Sequence, residues 1–232
     1  MKLAVMQPYF LPYIGYFQLI AAVDVFVIYD NIKYAKKGWI NRNRLLRNGT
    51  DAKFSLPLKK DSDCRYVVER ALATDFNREK LLNQFKSAYA HAPYFAEIFP
   101  LLERIICIDE CNLFKFIYSS IIILCEHLSI DTEIRVSSDI AIDHELKGRE
   151  KVLAFGRVLG ADTYVNAIGG VDLYTKDEFM ADGIELKFIK SQPLEYTQFG
   201  NAFVPWLSIV DVMMFNSPEQ MTVILNDHFE LL

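Results

Sequence analysis

At 232 residues, with 52% hydrophobic residues and a formal net charge of -5, the chain is too apolar and aromatic for disorder and too acidic to hold nucleic acid by bulk charge. It is long enough for one well-filled core, and no window offers the roughly 18 uninterrupted apolar residues of a membrane span. The nearest, residues 113–128, is broken by Lys115 and Glu126 and reads as a buried helix.

The first thirty residues organise the rest. Two short apolar runs, residues 3–6 and 25–29, are rich in β-branched and aromatic side chains and read as buried strands. Between them a loop, QPYFLPY, leads past Pro12 into a helix carrying Tyr16, Phe17, Leu19, Ile20 and Val23. So little chain allows only one crossover back to the same sheet, a βαβ unit of right-handed sense. Ligands of such sheets collect beyond the carboxyl ends of the strands, where Gln7, Pro8, Tyr9, Asp30 and Asn31 fall. No basic, apolar and small-residue leader pattern opens the chain, so a cytoplasmic location is expected.

A basic segment follows, NIKYAKKGWINRNRLLRN, in which Lys33, Lys36, Lys37, Arg42, Arg44 and Arg47 interrupt an otherwise acidic protein. One reading is a solvated loop and hairpin. The other is an anion site, because Trp39 supplies a stacking face and Asn41 and Asn43 supply directional hydrogen bonds. Residues 53–58 read as a strand with Pro57 at its edge or end, residues 61–63 as a turn, and residues 65–72 as extended.

From Asn77 the spacing becomes helical through Leu81, Leu82, Phe85 and Tyr89. Helices are also expected over residues 94–108, with Pro100 able to kink or divide the segment, and over 112–128. This block, about residues 75–130, is an inserted helical subdomain of a single α/β domain. Strand and helix alternate afterwards: strand 133–137, helix 148–159, strand 163–166, helix 176–181 and strand 185–189. The C-terminal part, residues 205–225, is helical. The fold class is therefore a three-layer α/β arrangement on a mostly parallel sheet.

A second polar cluster lies at predicted strand ends: Asn166 with Gly169 and Gly170, and Tyr196, Gln198 and Asn201. The paired glycines permit close backbone approach by a ligand, or only a tight turn. Trp206, Ser208 and Asp211 open the following helix, with Ser208 a cap and Asp211 a partner for a basic loop residue. His91, His127, His144 and His228 lack metal-ligand spacing, and His144, between Asp143 and Glu145, reads as loop. Cys64, Cys107, Cys111 and Cys125 lack CxxC spacing and are expected as buried free thiols.

Neither GxxxxGK nor GxGxxG is present. The loop before the first helix resembles, distantly, the first βα turn of nucleotidyltransferase-like folds, which are Rossmann-like. There a His-x-Gly-His signature would fall on Tyr13-Ile14-Gly15-Tyr16, and tyrosine, uncharged near neutral pH, does not replace a protonated histidine. A fuller resemblance rests on QPYFLPYIGYFQLI, KKGWINRNR, SAYAHAPYFAEIFPLLE, the Ser137-Ser138-Asp139 turn, LGADTYVNAIGG, DGIEL and PLEYTQFGNAFVPWLSIVDVMMFN. On these blocks the chain resembles the WbqC-like family of bacterial surface-polysaccharide and O-antigen (lipopolysaccharide) biosynthesis. The resemblance implies a cytoplasmic transferase step on a sugar, with transfer of an acyl or aminoacyl group to a nucleotide-linked amino sugar as one form. An acyl thioester or aminoacyl donor would be co-substrate. Many members of the family carry His where this chain has Met6.

The expected ligand is thus a nucleotide-linked sugar or another anionic small molecule, with homo-oligomerisation left open. Lys37, Arg42 and Arg44 would hold phosphate, Trp39, Tyr9, Tyr13 and Tyr16 would pack on base or sugar, and Gln7, Asn41, Asn43 and Asn166 would orient polar groups. Gly169, Gly170, Tyr196, Gln198 and Ser208 would complete the binding set. Asp30, a carboxylate at a strand end, is the general-base candidate and Asp211 the reserve. The alternative is a non-catalytic module that binds a sugar nucleotide or a partner, or an inactive nucleotidyltransferase relic.

Overall fold

A computed structural model describes residues 1–62, 64–200 and 202–232. Strands β1 (Lys2–Met6) and β2 (Val25–Ile28) pair in parallel across helix α1 (Ile14–Ala21), with Leu3 opposite Val25 and Met6 opposite Ile28. The βαβ unit read from the sequence is therefore present. Four more strands join it: β5 (Glu133–Val136), β6 (Thr163–Ala167), β7 (Glu185–Ser191) and a C-terminal β8 (Phe229–Leu231). Their order is β5-β2-β1-β6-β7-β8, parallel except for antiparallel β8.

The central strands β1, β2 and β6 are buried on both faces, so apolar residues run almost continuously along β1 and β2. Ala4, Phe26, Ile28, Val165 and Ile189 face one apolar cluster, while Leu3, Val5, Val25, Val27, Tyr164, Leu186 and Phe188 face the other. The second layer is helix α5 (Gly148–Leu159), through Val152, Leu153 and Phe155, with α6 (Lys176–Met180), through Phe179. On the other face lie α1, helices α2 (Arg78–Tyr89), α3 (Phe95–Ile106) and α4 (Leu113–His127), and the C-terminal α7 (Ile209–Phe215) and α8 (Pro218–Asp227). Asn77 and Asn112 cap α2 and α4, accepting from the Lys80 and Lys115 amides at 2.7 and 3.0 Å. Helix α3 runs through Pro100 as one element.

The basic segment builds a separate hairpin, β3 (Arg42–Arg47) against β4 (Thr50–Ser55), antiparallel and outside the main sheet. Its turn is Asn48-Gly49, both at positive φ, the backbone that two-residue hairpin turns demand. The expected strand at 53–58 thus begins earlier and stops before Pro57. The expected extended segment 65–72 contains instead a 3-10 turn, Val67–Glu69, closed by reciprocal bonds between Tyr66 and Glu69. Of the turn expected at residues 61–63, Asp63 lies outside the described residues, as does Asn201. Cys125 is buried, and burial pushes its thiol up to about 12, whereas Cys64, Cys107 and Cys111 are exposed rather than buried as expected. Among the described residues no helix is long and apolar enough to cross a membrane.

Phe10, from the loop after β1, sits fully buried between Phe54 of the hairpin and Phe116 of α4, with ring centroids 6.0 and 5.8 Å away. It joins the sheet edge, the hairpin and the helical layer. Phe10→Ala is expected to lower unfolding free energy by about 3–5 kcal/mol, against less than about 0.5 kcal/mol for Val158→Ala on the exposed side of α5, as measured by urea denaturation.

Candidate functional site

Three segments meet beyond the carboxyl ends of β1 and β2: the loop from Gln7 to Tyr13, the hairpin strand β3, and the turn before α7. Backbone bonds lace them together, Phe10 N–H to the Ile40 carbonyl at 2.9 Å, Ser208 N–H to the Arg44 carbonyl at 2.9 Å, and Ile209 N–H to the Pro12 carbonyl at 2.7 Å. Leu11 is held at φ +46°, and its carbonyl accepts from Asn43 Nδ2 and Ser208 Oγ, both at 2.7 Å. Ser208 also caps α7 through the Val210 amide at 3.3 Å.

The junction encloses a cavity of about 290 Å³ lined by Tyr9, Pro12, Tyr13, Trp39, Asn43, Arg44 and Trp206. Tyr13 and Trp206 lie 5.2 Å apart between ring centroids, and the Arg44 guanidinium lies 5.6 Å over the Trp39 ring. Arg44 also donates to the Trp206 carbonyl at 3.0 Å and lies 3.6 Å from Asp51. Its Nε–H has no partner among the described residues although the atom is buried, and the same holds for Arg42, two residues back on the same face of β3. An enclosed donor without an acceptor is costly, about 1–3 kcal/mol. Burial raises the Tyr9 and Tyr13 phenols, which keeps them protonated donors.

Tyr9 leads from the cavity to the sheet, donating to Gln7 Oε1 at 3.2 Å, and Gln7 follows Met6 directly. Tyr29 N–H bonds the Met6 carbonyl at 2.9 Å, so the exits of β1 and β2 lie side by side with Asp30 next in line. Asp30 is 4% exposed. Its Oδ1 accepts from Ser137 Oγ at 2.7 Å and from the Ser138 amide at 3.0 Å, while Oδ2 accepts nothing among the described residues. Ser137 also reaches Asn31 Oδ1 at 2.9 Å. That same oxygen accepts from Lys151 Nζ of α5 at 3.3 Å. The Asn31 Nδ2 lies 2.9 Å from His144 Nδ1.

Of the residues expected from the sequence, Gln7, Tyr9, Tyr13, Trp39, Asn43 and Arg44 are brought together, with Asp30 along the same rim. Lys37 is exposed and Arg42 half-buried, donating to the Lys36 carbonyl at 2.5 Å. Tyr16 is buried below the loop and holds it through the Gln7 carbonyl at 2.9 Å. Asn41 is enclosed at the base of the hairpin, bonded to Tyr34 and to the Leu56 carbonyl. Gly170 makes room for Asn166 itself, since a Cβ there would meet Asn166 Nδ2 at 2.4 Å, and Gly169 stands in open space.

Asp211, the reserve base, does not meet the basic loop residue expected for it among the described residues. Asp211 is fully buried, accepting from Tyr89 at 2.9 Å, Tyr196 at 2.6 Å and Gln198 at 2.7 Å. Its bonds join α7 to α2 and to the segment after β7 that carries Tyr196 and Gln198. Four participants were not singled out from the sequence: Trp206 as a cavity wall, and Ser137, His144 and Lys151 around Asp30. The Lys151 signal was available, because it precedes Phe155 by four residues on the inner face of α5.

The fold and this rim define an open α/β protein with a cleft at the carboxyl edge of its sheet. The chain belongs to the WbqC-like protein family, whose model matches residues 7–223. It is also 27% identical over 222 residues, 93% of each chain, to the uncharacterized protein Rv1507c of Mycobacterium tuberculosis.

Burial raises the Asp211 carboxyl above its ordinary value of 3.8, although its three hydrogen bonds work against the shift. A carboxyl that binds its proton more tightly when folded favours the folded state fully only below its unfolded value, and that contribution fades as pH rises through the folded value. Asp211→Asn is expected to cost about 1–3 kcal/mol and to flatten this decline, read from denaturation midpoints across the carboxylate range and just above it.

Proposed function

We propose that the protein is a transferase of bacterial surface-polysaccharide synthesis that acts on a nucleotide-linked amino sugar and acylates or aminoacylates its amine. The observation that carries this is the aromatic-walled cavity, in which Tyr9, Tyr13, Trp39 and Trp206 surround the Arg44 guanidinium with its unpartnered Nε–H. Aromatic faces suit the apolar face of a pyranose or a nucleobase, and a planar guanidinium suits phosphate oxygens. Arg42 adds a second donor on the same face of β3, and Lys37 adds charge at the rim. Gln7, Asn43 and Asn166 orient the polar groups of the sugar.

Asp30 stands at the reacting end. Its Oδ1 is tied by the Ser137-Ser138 turn and its Oδ2 faces away with open accepting capacity. The substrate amine attacks the carbonyl carbon of an acyl thioester, the new C–N bond forms as the C–S bond breaks, and Asp30 takes the proton from nitrogen and returns it to the departing thiolate. Catalysis then rests on positioning and proton transfer rather than a covalent nucleophile.

Calorimetry with uridine diphosphate is the direct test of the cavity. Arg44→Ala is expected to weaken binding by about 10–100-fold, corresponding to about 1.5–3 kcal/mol, and Asp30→Asn to leave it unchanged. With a nucleotide amino sugar and acyl thioesters, thiol release should fall by about 100-fold or more in Asp30→Asn. Nucleotide binding that is indifferent to Arg44 would place the ligand elsewhere, and binding without thiol release or aminoacyl transfer would leave a recognition module.

A further inference from the structure

Charge is distributed unevenly along this chain, and the unevenness falls on one surface. Residues 31–60 hold nine lysines and arginines against a single acid, Asp51, in a protein whose net charge is -5. The register of β3 with β4 gathers part of this charge on the outward side of the hairpin. Asn43, Leu45 and Phe54 turn inward and are buried, while Arg42, Arg44 and their cross-strand partners Ser55 and Lys53 turn the other way. Lys36 and Lys37 are exposed beside them, because the Lys36 carbonyl is held by Arg42 at 2.5 Å. Asp51, 3.6 Å from Arg44, is the acid of this face.

Aromatic rings border the same face. The chain has two tryptophans and both lie here, Trp39 42% exposed and Trp206 59%, linked by Arg44, which lies over the Trp39 ring and donates to the Trp206 carbonyl. Phe199, also exposed, belongs to the loop that leads to Trp206, which Gln198 closes by bonding both backbone groups of Val204 at 2.7 and 3.2 Å. Single exposed aromatics are ordinary. Two tryptophans flanking one mouth amid lysines and arginines are the side chains that settle at a lipid–water interface. A single-stranded nucleic acid would call instead for rings spaced along a groove that tracks its backbone. A guest in the cavity makes no use of Lys36 or Lys53, which do not line it.

We propose that this face docks the protein on an anionic phospholipid bilayer, with Trp39 and Trp206 at the level of the headgroups and the surrounding cations, Lys36 and Lys53 foremost, against lipid phosphates. The chain lies on the bilayer without crossing it, and the mouth of the cavity faces the headgroup layer. A cluster of about four to eight lysines and arginines draws a protein to anionic headgroups, and salt weakens the attraction. The docking face depends neither on Asp30 nor on the transfer reaction.

The test uses the full chain and three probes: vesicles of phosphatidylglycerol with phosphatidylcholine, vesicles of phosphatidylcholine alone, and oligothymidylate. Because both tryptophans lie on the proposed face, their emission reports on it directly. The mixed vesicles are expected to sediment the protein and shift its tryptophan emission to the blue, with quenching when the acyl chains are brominated. Neutral vesicles should bind about tenfold more weakly or less, and added salt should release the protein from the mixed ones. Lys36→Gln combined with Lys53→Gln should weaken binding to mixed vesicles by about 30-fold and leave the unfolding midpoint unchanged. The proposal is overturned by no sedimentation, by sedimentation with unaltered emission, by binding indifferent to the lysine pair, or by an emission change with oligothymidylate where mixed vesicles give none. Uridine diphosphate, titrated separately, tests the cavity, so the failure of either reading leaves the other measurable.

Discussion

A buried carboxylate holds the two halves of this protein in register. Asp211, on the first turn of α7, cannot reach solvent and must be answered from within. The answers come from Tyr89 at the end of α2 and from Tyr196 and Gln198 in the segment after β7. The Tyr89 hydroxyl in turn accepts the Leu46 amide of β3 at 2.9 Å. One charge thereby fixes the helical layer, the hairpin and the C-terminal segment to one another, and those elements carry Arg44, Trp39 and Trp206 to the sheet edge. The cavity exists because of a residue that does not line it.

The division of labour along the rim follows from this. Residues that are enclosed and bonded, such as Asn41, Ser208, Tyr16 and Gln198, hold backbone in place, while Arg44 and Asp30 keep bonding capacity open along the rim. Asn43 does both, since its amide holds Leu11 while its side chain forms part of the cavity wall. The aromatic cavity and the Asp30 cluster are joined by Tyr9 and Gln7, which makes the segment after β1 the link between them.

Much of this was legible in the chain. Alternating apolar strands and amphipathic helices disclosed the parallel sheet, and the basic run over residues 31–48 offered a loop and hairpin as one of its two readings, the hairpin that carries Arg44 to the cavity. What was not legible has physical causes. Strand β8 is three residues long and exists only because the edge of β7 offers a ladder, so no local pattern announces it. Asp211 reads as a surface acid until Tyr89, 122 positions away, is seen to reach it. Lys151 reads as a solvated lysine because its neighbours Glu150 and Arg149 are so, and only the pairing of β2 with β5 brings Asn31 and Ser137 under it. Asn48-Gly49 was a readable hairpin signal that fixes β3 and β4 earlier in the chain than their apolar content suggests.

Leu11 and Trp206 both adopt left-handed backbone, at φ +46° and +61°, which costs a side-chain-bearing residue of order 1–3 kcal/mol. Both carbonyls are hydrogen-bonded, to Asn43 and Ser208 for Leu11 and to Arg44 for Trp206. The scaffold therefore bears the conformational cost of shaping the cavity mouth before any guest arrives. Entry then requires little ordering of the walls, so discrimination between guests falls on shape and charge rather than on loop closure.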